Sequence, residues 1–407
     1  MGVEVGDILE AAKRLRRAQK TLLAEMPQAA IVDALVELAC RWRDPAYPLR
    51  RQAEQWQEPF PFAMTQVSLD GLLDSMTPDA LWSLVGAEGV REAFGCPLIG
   101  HVIAGNTPLL AWGSVFRALL MRSASLVKLP SGPAARWGHV LGESLADVCP
   151  PLAACVEWRQ WPGGTTELDA ALCRSVDLVL AYGSNHAMNR LERLCPADVT
   201  FLGYGHRVSF GLVLADGACE EAAQGFARDV LIFDQGGCLS PQTIFVEGGR
   251  EECAAFAERL AQAMPQATAD FPLPFRSPSS APAVREACAL ARMEEDARLW
   301  EDAALRWTVI ARPRPEFVLS PTFGVVSVQP LRSLDALPEA LVPVDAFLQG
   351  CAVASSAPLP PEIAALGLSY VCRPGQLQAP PLNWRQDGRD VLRTLLPGGR
   401  QDHNRGL

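Results

Sequence analysis

The sequence predicts an α/β protein with two doubly wound domains in series and an N-terminal helical region. Apolar residues recur every three or four positions near the N-terminus, which is the period of an amphipathic helix. From about residue 96, short apolar runs alternate with helix-like segments, and a second alternating set begins after Cys238. Alternation at this spacing is typical of parallel sheets covered by helices.

The N-terminal region is predicted to be helical over residues 7–45. Its apolar positions follow intervals of three and four residues, at Ile8, Ala11, Ala12 and Leu15 and then at Ile31, Leu35 and Leu38. The run PFPFAM near Phe60 interrupts this pattern. We therefore expect helices before the first strand.

The first alternating set contains the strand-like runs CPLIGHVIAG, SLVKLP, CVEWRQW, DLVLAYG and VSFGLVLAD. Helix-like runs lie between them, namely TPLLAWGSVFRALLM, AARWGHVLGESLADV and TTELDAALCRS. The second set comprises PQTIFVEG, the helical EECAAFAERLAQAM, a Pro/Ser-rich loop, and the strands RWTVIARP, FGVVSVQPL and CAVASS. We place the domain boundary near residue 211, which gives domains 1–211 and 212–370 and a C-terminal segment 371–407.

Composition argues against several classes of protein. A net charge of -10 without long basic runs disfavours nucleic acid as the main partner. The 12 cysteines follow no paired spacing and form no CxxC, so neither a disulfide framework nor a zinc site is expected. The N-terminus lacks the apolar core of a signal peptide, and no uncharged apolar run is long enough to cross a membrane. The expectation is a soluble cytoplasmic protein.

Cys238 differs from the other cysteines because it directly follows two glycines, in IFDQGGCLSPQ. Backbone N–H groups of such a turn stabilise a thiolate, and glycines let the backbone approach a reacting carbonyl. This pattern favours a catalytic nucleophile. The alternative is a small buried residue in a tight turn, which is the usual state of an intracellular cysteine.

Two further candidates follow strands of the first set. Asn106 lies in the turn of HVIAGNTPLLAW, where its amide suits a developing oxyanion, or alternatively caps the helix that Pro108 is expected to open. Lys128 ends the strand of SLVKLPSGP and Ser131 follows it, at the sheet edge where nucleotides bind. A cation and a hydroxyl there suit a ribose or its 2′-phosphate. The alternative is an exposed lysine at a strand end without a ligand.

Weaker signals complete the set of candidates. The chain has no GxGxxG after a strand, so Gly163 and Gly164 before a helix are only a weak phosphate-loop signal. His101 and His206 are possible general bases, although a histidine near a strand is more often structural. No Ser/His/Asp set and no GKS or GKT sequence occurs.

The order of these segments resembles the aldehyde dehydrogenase superfamily over roughly residues 90–390. REAFGCPLIGHVIAGNTPLL is similar to the segment with that family's oxyanion-hole asparagine, and FDQGGCLSPQ is similar to its catalytic-cysteine loop. VKLPSGP resembles its adenosine-ribose site, GGTTELDAAL and AYGSN its phosphate loop and Gly-Ser turn, and TFGVVSV its cofactor-contacting IFGPV segment. The resemblance implies catalytic roles for Cys238 and Asn106. It implies cofactor binding by Lys128, Ser131, Gly163, Gly164, Gly183, Ser184 and Phe323, and no metal site.

Within that superfamily, AGNTP, GHRVSFG, DQGGCLSPQ and WRQDG resemble the LuxC-like acyl-CoA reductases, the bioluminescence fatty-acid reductase branch. Two positions depart from ordinary aldehyde dehydrogenases. The family interval before Cys238 places Tyr204 where those enzymes have a glutamate base, and Pro321 replaces the glutamate that grips the nicotinamide ribose. Without a base for water, a thioester on Cys238 should resist hydrolysis.

The resemblance therefore implies NADPH-dependent reduction of an acyl-CoA or acyl-carrier thioester to the aldehyde through a cysteine acyl-enzyme. NADH is a possible cofactor as well, and an NAD(P)-dependent aldehyde or semialdehyde dehydrogenase is the alternative. Residues 1–211 would bind the cofactor and 212–370 would carry the cysteine. Residues 371–407 would return to the cofactor domain and contribute to a homo-oligomer.

Overall fold

The computed structural model describes residues 2–273 and 276–398, which divide into two compact units. The first unit comprises residues 2–59, 68–206 and 381–398. The second comprises 60–67, 207–273 and 276–380. Residues 399–407 of the predicted C-terminal segment lie outside the described residues.

The N-terminal region is helical, as the periodicity predicts. Its helices are α1 (Val5–Ala18), continued by a π-helical turn (Gln19–Leu23), α2 (Gln28–Arg43), α3 (Pro48–Ala53), α4 (Phe62–Asp74) and α5 (Pro78–Ala87). All seven apolar residues that predicted the first helices are at most 5% exposed. Helix α5 begins with Pro78, and the Thr77 side chain caps it by accepting a hydrogen bond from Ala80 N at 3.2 Å.

The first unit contains a parallel five-stranded sheet in the order β3-β2-β1-β4-β5. Its elements are β1 (Leu98–Val102), α6 (Leu110–Leu120), β2 (Ala124–Leu129), α7 (Arg136–Val148), α8 (Pro150–Ala153), β3 (Val156–Gln160), α9 (Thr166–Ser175), β4 (Leu178–Tyr182), α10 (Asn185–Glu192) and β5 (Thr200–Tyr204). The chain winds outward from β1 and then restarts on its other side at β4. The carboxyl ends of β1 and β4 therefore flank the point where such sheets bind ligands.

Tryptophans anchor the helices that cover this sheet. The indole N–H of Trp112 donates to the carbonyl oxygen of Trp137 at 2.7 Å, and that of Trp42 donates to Ser144 Oγ at 3.0 Å. The rings of Trp42 and Trp112 meet edge to face, with centroids 4.9 Å apart. These contacts fix α2, α6 and α7 against one another.

The second unit contains a seven-stranded sheet in the order β12-β11-β6-β7-β10-β9-β8. Its strands are parallel except for β8, which pairs antiparallel with β9. Its elements are β6 (Val208–Val213), α11 (Glu220–Leu231), β7 (Pro241–Glu247), α12 (Arg250–Asp270), α13 (Ser280–Met293), β8 (Arg298–Glu301), β9 (Thr308–Ala311), β10 (Val325–Leu331), α14 (Leu337–Leu341), β11 (Leu348–Ala354), α15 (Pro361–Ala365) and β12 (Tyr370–Cys372).

One strand lies in a different sheet from the one that the sequence predicts. The run VSFGLVLAD, which the alternation assigns to the first set, forms β6 and pairs with β7 and β11 in the second sheet. The outer position of the first sheet is instead taken by β5, in the short run TFLGY. The predicted boundary near residue 211 therefore lies inside a strand. Gly211 is needed there because a Cβ would lie 2.4 Å from the Phe226 ring of α11.

Candidate active site

Four loops at one edge of the first sheet carry the predicted residues of that unit. Because all five strands are parallel, their carboxyl ends lie at the same edge. The loops after β1 and β2 touch: Ile103 N donates to Lys128 O at 3.0 Å, and a Cβ on Gly105 would lie 3.1 Å from Pro130. The sheet thus gathers the predicted oxyanion and cofactor residues at one edge: Asn106, Lys128, Ser131, Gly163, Gly164, Gly183 and Ser184.

Asn106 is an exposed loop residue and does not cap α6. The helix begins at Leu110, its N-cap is Leu109, and no side chain caps it. The expectation that Pro108 opens the helix is therefore wrong, because the chain makes a further turn before the helix starts. The capping alternative for Asn106 fails for the same reason, which leaves its amide outside the helix terminus.

Lys128 is buried, with 6% of its surface exposed, so the alternative of an exposed strand-end lysine is wrong. Burial lowers the pKa of its ammonium; the Asp169 carboxylate acts to raise that pKa and Arg190 to lower it. Asp169 is itself engaged by Arg190 and by Trp161 Nε1, the latter at 2.8 Å. Within the described part of the chain, the Lys128 ammonium has no hydrogen-bond or ion-pair partner. It is a buried cation that an anionic or hydroxyl-bearing ligand would satisfy.

The remaining loops of this edge differ in how many hydrogen bonds they make within the protein. Ser131, Gly163 and Gly164 are exposed, and Gly164 adopts φ +89 with open space around both glycines. Ser184 caps α10, because its Oγ accepts from Ala187 N at 3.2 Å. Gly183 N donates to Tyr204 O at 3.2 Å. The glycine loop after β3 is therefore open, whereas the Gly183–Ser184 turn also starts a helix.

In the second unit, Cys238 lies in the cysteine loop (232–240), which joins α11 to β7. This loop is at the amino end of β7, opposite to the edge where doubly wound sheets usually bind ligands. The thiol is half-buried. Ser209 Oγ donates to the Cys238 carbonyl at 2.9 Å and accepts from Gly350 N at 3.1 Å. The backbone of Cys238 is thereby fixed to the two neighbouring strands, β6 and β11.

The approach to Cys238 has an unusual backbone. Three consecutive residues that are not glycine, Phe233, Asp234 and Gln235, adopt left-handed conformations with φ of 56, 52 and 61. Gln235 is 2% exposed, and its amide donates to Pro241 O and Val325 O, both at 2.9 Å. Such a conformation persists only where the surroundings enforce it, and the Gln235 amide supplies part of that restraint.

Phe323 lies next to the cysteine loop. Thr322, Phe323 and Gly324 form a second left-handed segment, the 322–324 turn, with φ of 71, 59 and 75. Phe323 N donates to Asp234 O at 3.1 Å. The structure thus joins the predicted nucleophile's loop to the predicted cofactor-contacting phenylalanine within one unit.

Neither His101, one of the two candidate general bases, nor Tyr204, at the position of the family's glutamate, is poised for proton abstraction. His101 is fully buried between Ser114 Oγ, at 2.7 Å, and Ser125 Oγ, at 3.1 Å, and burial lowers its pKa to about 3. Tyr204 ends β5, stacks on Tyr182 with centroids 4.9 Å apart, and burial raises its pKa well above 10. His101 is therefore a neutral structural residue, and Tyr204 remains a neutral phenol near pH 7.

Sequence reasoning missed the residues that shape the cysteine loop. Asp234 and Gln235 lie just before Gly236 and Gly237, but the sequence pattern there draws attention only to Cys238. Arg276, which binds Asp234, lies in the Pro/Ser-rich loop. Ser320, whose Oγ is 3.1 Å from Gln235 Oε1, precedes Pro321. The one available signal is charge, because Arg276 is an isolated cation in a run of proline, serine and phenylalanine.

Over residues 2–273 and 276–398, no helix is both long and apolar enough to cross a membrane. In the same ranges, no three His, Cys, Asp or Glu side chains are grouped as metal ligands would be.

Comparison with known sequences connects this site to a family. A family model described as acyl-CoA reductase (LuxC) matches residues 23–397. The chain is similar to a long-chain acyl-protein thioester reductase of Vibrio harveyi, with 32% identity over 155 residues, which are 37% of this chain and 32% of that protein. The similar protein of Photorhabdus laumondii is 30% identical over 179 residues, 42% of this chain and 37% of that protein. The chain thus spans about a third of the length of the relatives it matches.

Solved structures show the fold. An NAD-dependent benzaldehyde dehydrogenase from Corynebacterium glutamicum superposes with a TM-score of 0.72 at 17% identity, covering 92% of this chain and 86% of that chain. An NADP-dependent glyceraldehyde-3-phosphate dehydrogenase from Bacillus halodurans gives 0.66 at 14% identity, covering 93% and 84%. These likenesses confirm the predicted aldehyde-dehydrogenase-like fold. Because the family model spans nearly all of the described residues, the chain belongs to the acyl-CoA reductase (LuxC) family.

Proposed function

We propose that the protein reduces an acyl thioester to the aldehyde through a covalent thioester on Cys238. The observation that carries this proposal is the placement of Cys238. A half-buried thiol stands in a loop held by Gln235 and Ser209, inside the range that the family model matches. The relatives' name, long-chain acyl-protein thioester reductase, supports an acyl thioester substrate of the same class.

In the first step, the Cys238 thiolate attacks the carbonyl carbon of the acyl thioester. A new C–S bond forms, the bond to the donor sulfur breaks, and that sulfur leaves as a thiolate that takes up a proton. The Cys238 N–H and the Asn106 amide are the proposed donors to the oxyanion of the tetrahedral intermediate. Removing one such donor typically slows acyl transfer by about 100- to 1,000-fold.

The acyl-enzyme is proposed to resist water. The stretch from Phe201 to Leu214 contains no acidic residue, and the neutral phenol of Tyr204 cannot act as a base near pH 7. An acyl group on Cys238 would then persist until it is reduced or returned to a thiol. This favours aldehyde formation over hydrolysis to the acid.

The residues of the first unit fit a nicotinamide dinucleotide. The buried Lys128, which has no side-chain partner among the described residues, and the exposed Ser131 suit an adenosine ribose and its 2′-phosphate. The open Gly163–Gly164 loop and the Gly183–Ser184 turn suit the pyrophosphate. Phe323 of the second unit is the proposed contact for the nicotinamide. When bound, NADPH supplies the hydride that reduces the acyl group. We infer NADPH rather than NADH from Lys128, and we assign cofactor binding to the first unit and the nucleophile to the second.

The test is intact-protein mass spectrometry after mixing with a panel of acyl-CoA and acyl-carrier-protein thioesters, without cofactor. Wild type should gain an acyl-sized increment that NADPH then discharges as aldehyde. Cys238→Ala should gain none, whereas Cys219→Ala, which removes an exposed thiol of the same unit, should behave as wild type. Absence of any increment in wild type would contradict the proposal, and acid formation from aldehyde and NADP⁺ would favour an aldehyde dehydrogenase.

A further inference from the structure

Arg276 connects two loops of the second unit. Its Nη2 atom donates to Asp234 Oδ1 at 2.6 Å and to the carbonyl oxygen of Phe323 at 3.1 Å. The carbonyl oxygens of Leu305 and Arg306 accept further hydrogen bonds, at 2.6 and 2.8 Å. The side chains of Arg276 and Asp234 are only 16% and 15% exposed. One half-buried guanidinium therefore contacts the cysteine loop, the segment before β9 and the 322–324 turn.

Both loops that Arg276 joins are conformationally unfavourable on their own. Residues 233–235 and 322–324 are left-handed, and five of these six residues carry side chains that disfavour positive φ. A backbone of this kind is retained only where the surrounding contacts over-determine it. Within the described residues, Phe323 N also donates to Asp234 O at 3.1 Å, and Gln235 bonds to Val325 and Ser320, which flank the 322–324 turn.

We propose that Arg276 is a positioning residue for Cys238: it holds the cysteine loop and the 322–324 turn in one fixed relation. The proposal rests on the proposed function, because it treats Cys238 as the nucleophile and Phe323 as a cofactor contact. Arg276 itself touches neither the thiol nor substrate. It acts through Asp234, four residues before the cysteine, and through the Phe323 carbonyl.

The chemistry of the contact requires an arginine. A guanidinium presents several N–H donors in one rigid plane, which here serve one carboxylate and three carbonyl oxygens. A lysine ammonium retains the charge but is a point donor on a flexible stem, so it cannot reach all four oxygens. Without a cation, the half-buried Asp234 carboxylate would also lose its partner, which disfavours the present loop conformation.

The effect should appear in the rate of chemistry rather than in substrate binding. A displacement of about 1 Å in a reacting group can slow a reaction about 100-fold. We therefore expect Arg276→Lys to lower the Cys238 acylation rate at saturating acyl thioester at least tenfold. The donor concentration that gives half the maximal rate should stay within twofold of wild type, because Arg276 is proposed to act on the position of the cysteine loop and not on donor binding.

The matched control is Arg312→Lys. Arg312 is 15% exposed, lies in the same unit and pairs with Glu294, but it contacts neither turn. If Arg276→Lys slowed acylation no more than Arg312→Lys, the positioning role would be overturned. The buried thiols Cys253 and Cys288 report the fold, since they are labelled only if the second unit opens. If Arg276→Lys exposes Cys253 or Cys288, Asp234→Asn replaces it, and the acylation rate of that variant is compared with that of Arg312→Lys in the same way.

A second readout separates this proposal from the proposed function. Iodoacetamide labelling of Cys238, followed by peptide mass, needs no acyl substrate. Labelling of Cys238 should slow in Arg276→Lys while that of the exposed Cys219 stays constant. A wild type that is never acylated would defeat the proposed function alone. Unchanged Cys238 labelling in Arg276→Lys would defeat the role of Arg276 alone.

Discussion

The burial of Lys128 is the residue-scale observation that favours an anionic ligand in the first unit. Moving an ammonium out of water is unfavourable unless an anion or several acceptors replace the lost hydration. Lys128 is 6% exposed, and the nearby Asp169 carboxylate is already bound by Arg190 and Trp161. The fold therefore keeps a largely buried lysine at the carboxyl end of β2, and this burial is the basis for proposing that the site receives a phosphate.

We expect Lys128→Ala to raise the KM for NADPH at least tenfold while changing the KM for NADH less than threefold. The reason is that only NADPH carries a 2′-phosphate for the ammonium to bind. Initial-rate kinetics with each cofactor measures the two constants. Lys13→Ala, which removes an exposed lysine of α1, is the control. Equal increases for both cofactors would show that Lys128 binds the ribose and not the phosphate.

At the scale of elements, periodicity was sufficient for the long, well-buried segments. Helices α1 and α2 and strands β1 to β4, β7 and β9 to β11 all coincide with predicted runs. Strands β5, β8 and β12 have five, four and three residues and only partial burial, so they carry little apolar pattern. Helix α10 was missed because it is short and polar, with Met188 and Leu191 as its buried residues.

The shape of the cysteine loop could not be predicted. Glycines at 236 and 237 indicate a turn, but the left-handed residues are Phe233, Asp234 and Gln235, of which only aspartate has a local tolerance of positive φ. Their conformation is imposed by partners far along the chain, including Val325 and Arg276. The sequence singles out Cys238 as the proposed nucleophile because its Gly-Gly-Cys context is local, whereas the contacts that hold its loop are tertiary.

Glu88 links the end of α5 to the returning C-terminal segment. Glu88 as a residue is 7% exposed. Its carboxylate accepts hydrogen bonds from the backbone N–H groups of Val391, Leu392 and Arg393 at 2.8–2.9 Å. Because these are charge-assisted bonds to buried donors, Glu88→Ala should lower the free energy of unfolding by about 3 kcal/mol. Urea unfolding measures this loss, and hydrogen exchange should show lost protection at residues 391–393.

Glu37→Ala is the control for this prediction. Glu37 lies on the surface of α2 and pairs with Arg41 four residues later, a type of pair that contributes about 0.5 kcal/mol. Equal losses in the two variants, or retained protection at 391–393 in Glu88→Ala, would show that Glu88 does not secure the segment.

At the scale of the whole molecule, chain order and unit membership do not coincide. Residues 60–67 belong to the second unit although they lie within the N-terminal region, and 381–398 belong to the first. A cut at residue 211, the boundary that the sequence suggests, would divide β6 (Val208–Val213). Neither unit is therefore obtained by a single division of the chain.

The distribution of thiols gives a prediction for the intact molecule. All twelve cysteines are free, Cys40 and Cys219 are exposed, and six are buried. An aromatic disulfide reagent should react with the two exposed thiols and the half-buried Cys238 of the native protein before the six buried thiols, and with all twelve in denaturant. Unfolding transitions should be the same with and without reductant. Fewer than twelve reactive thiols in denaturant, or a transition weakened by reductant, would indicate a disulfide.

The left-handed backbone before Cys238 also bears on how the protein is made. A ribosome synthesises residues 233–238 well before Arg276 and the turn at 322–324. Since this backbone is unfavourable without those partners, a nascent chain carries only an ordinary thiol at position 238. Under the proposed function, Cys238 would become reactive only when the second unit is complete, so an unfinished chain would not capture acyl groups that it could not release.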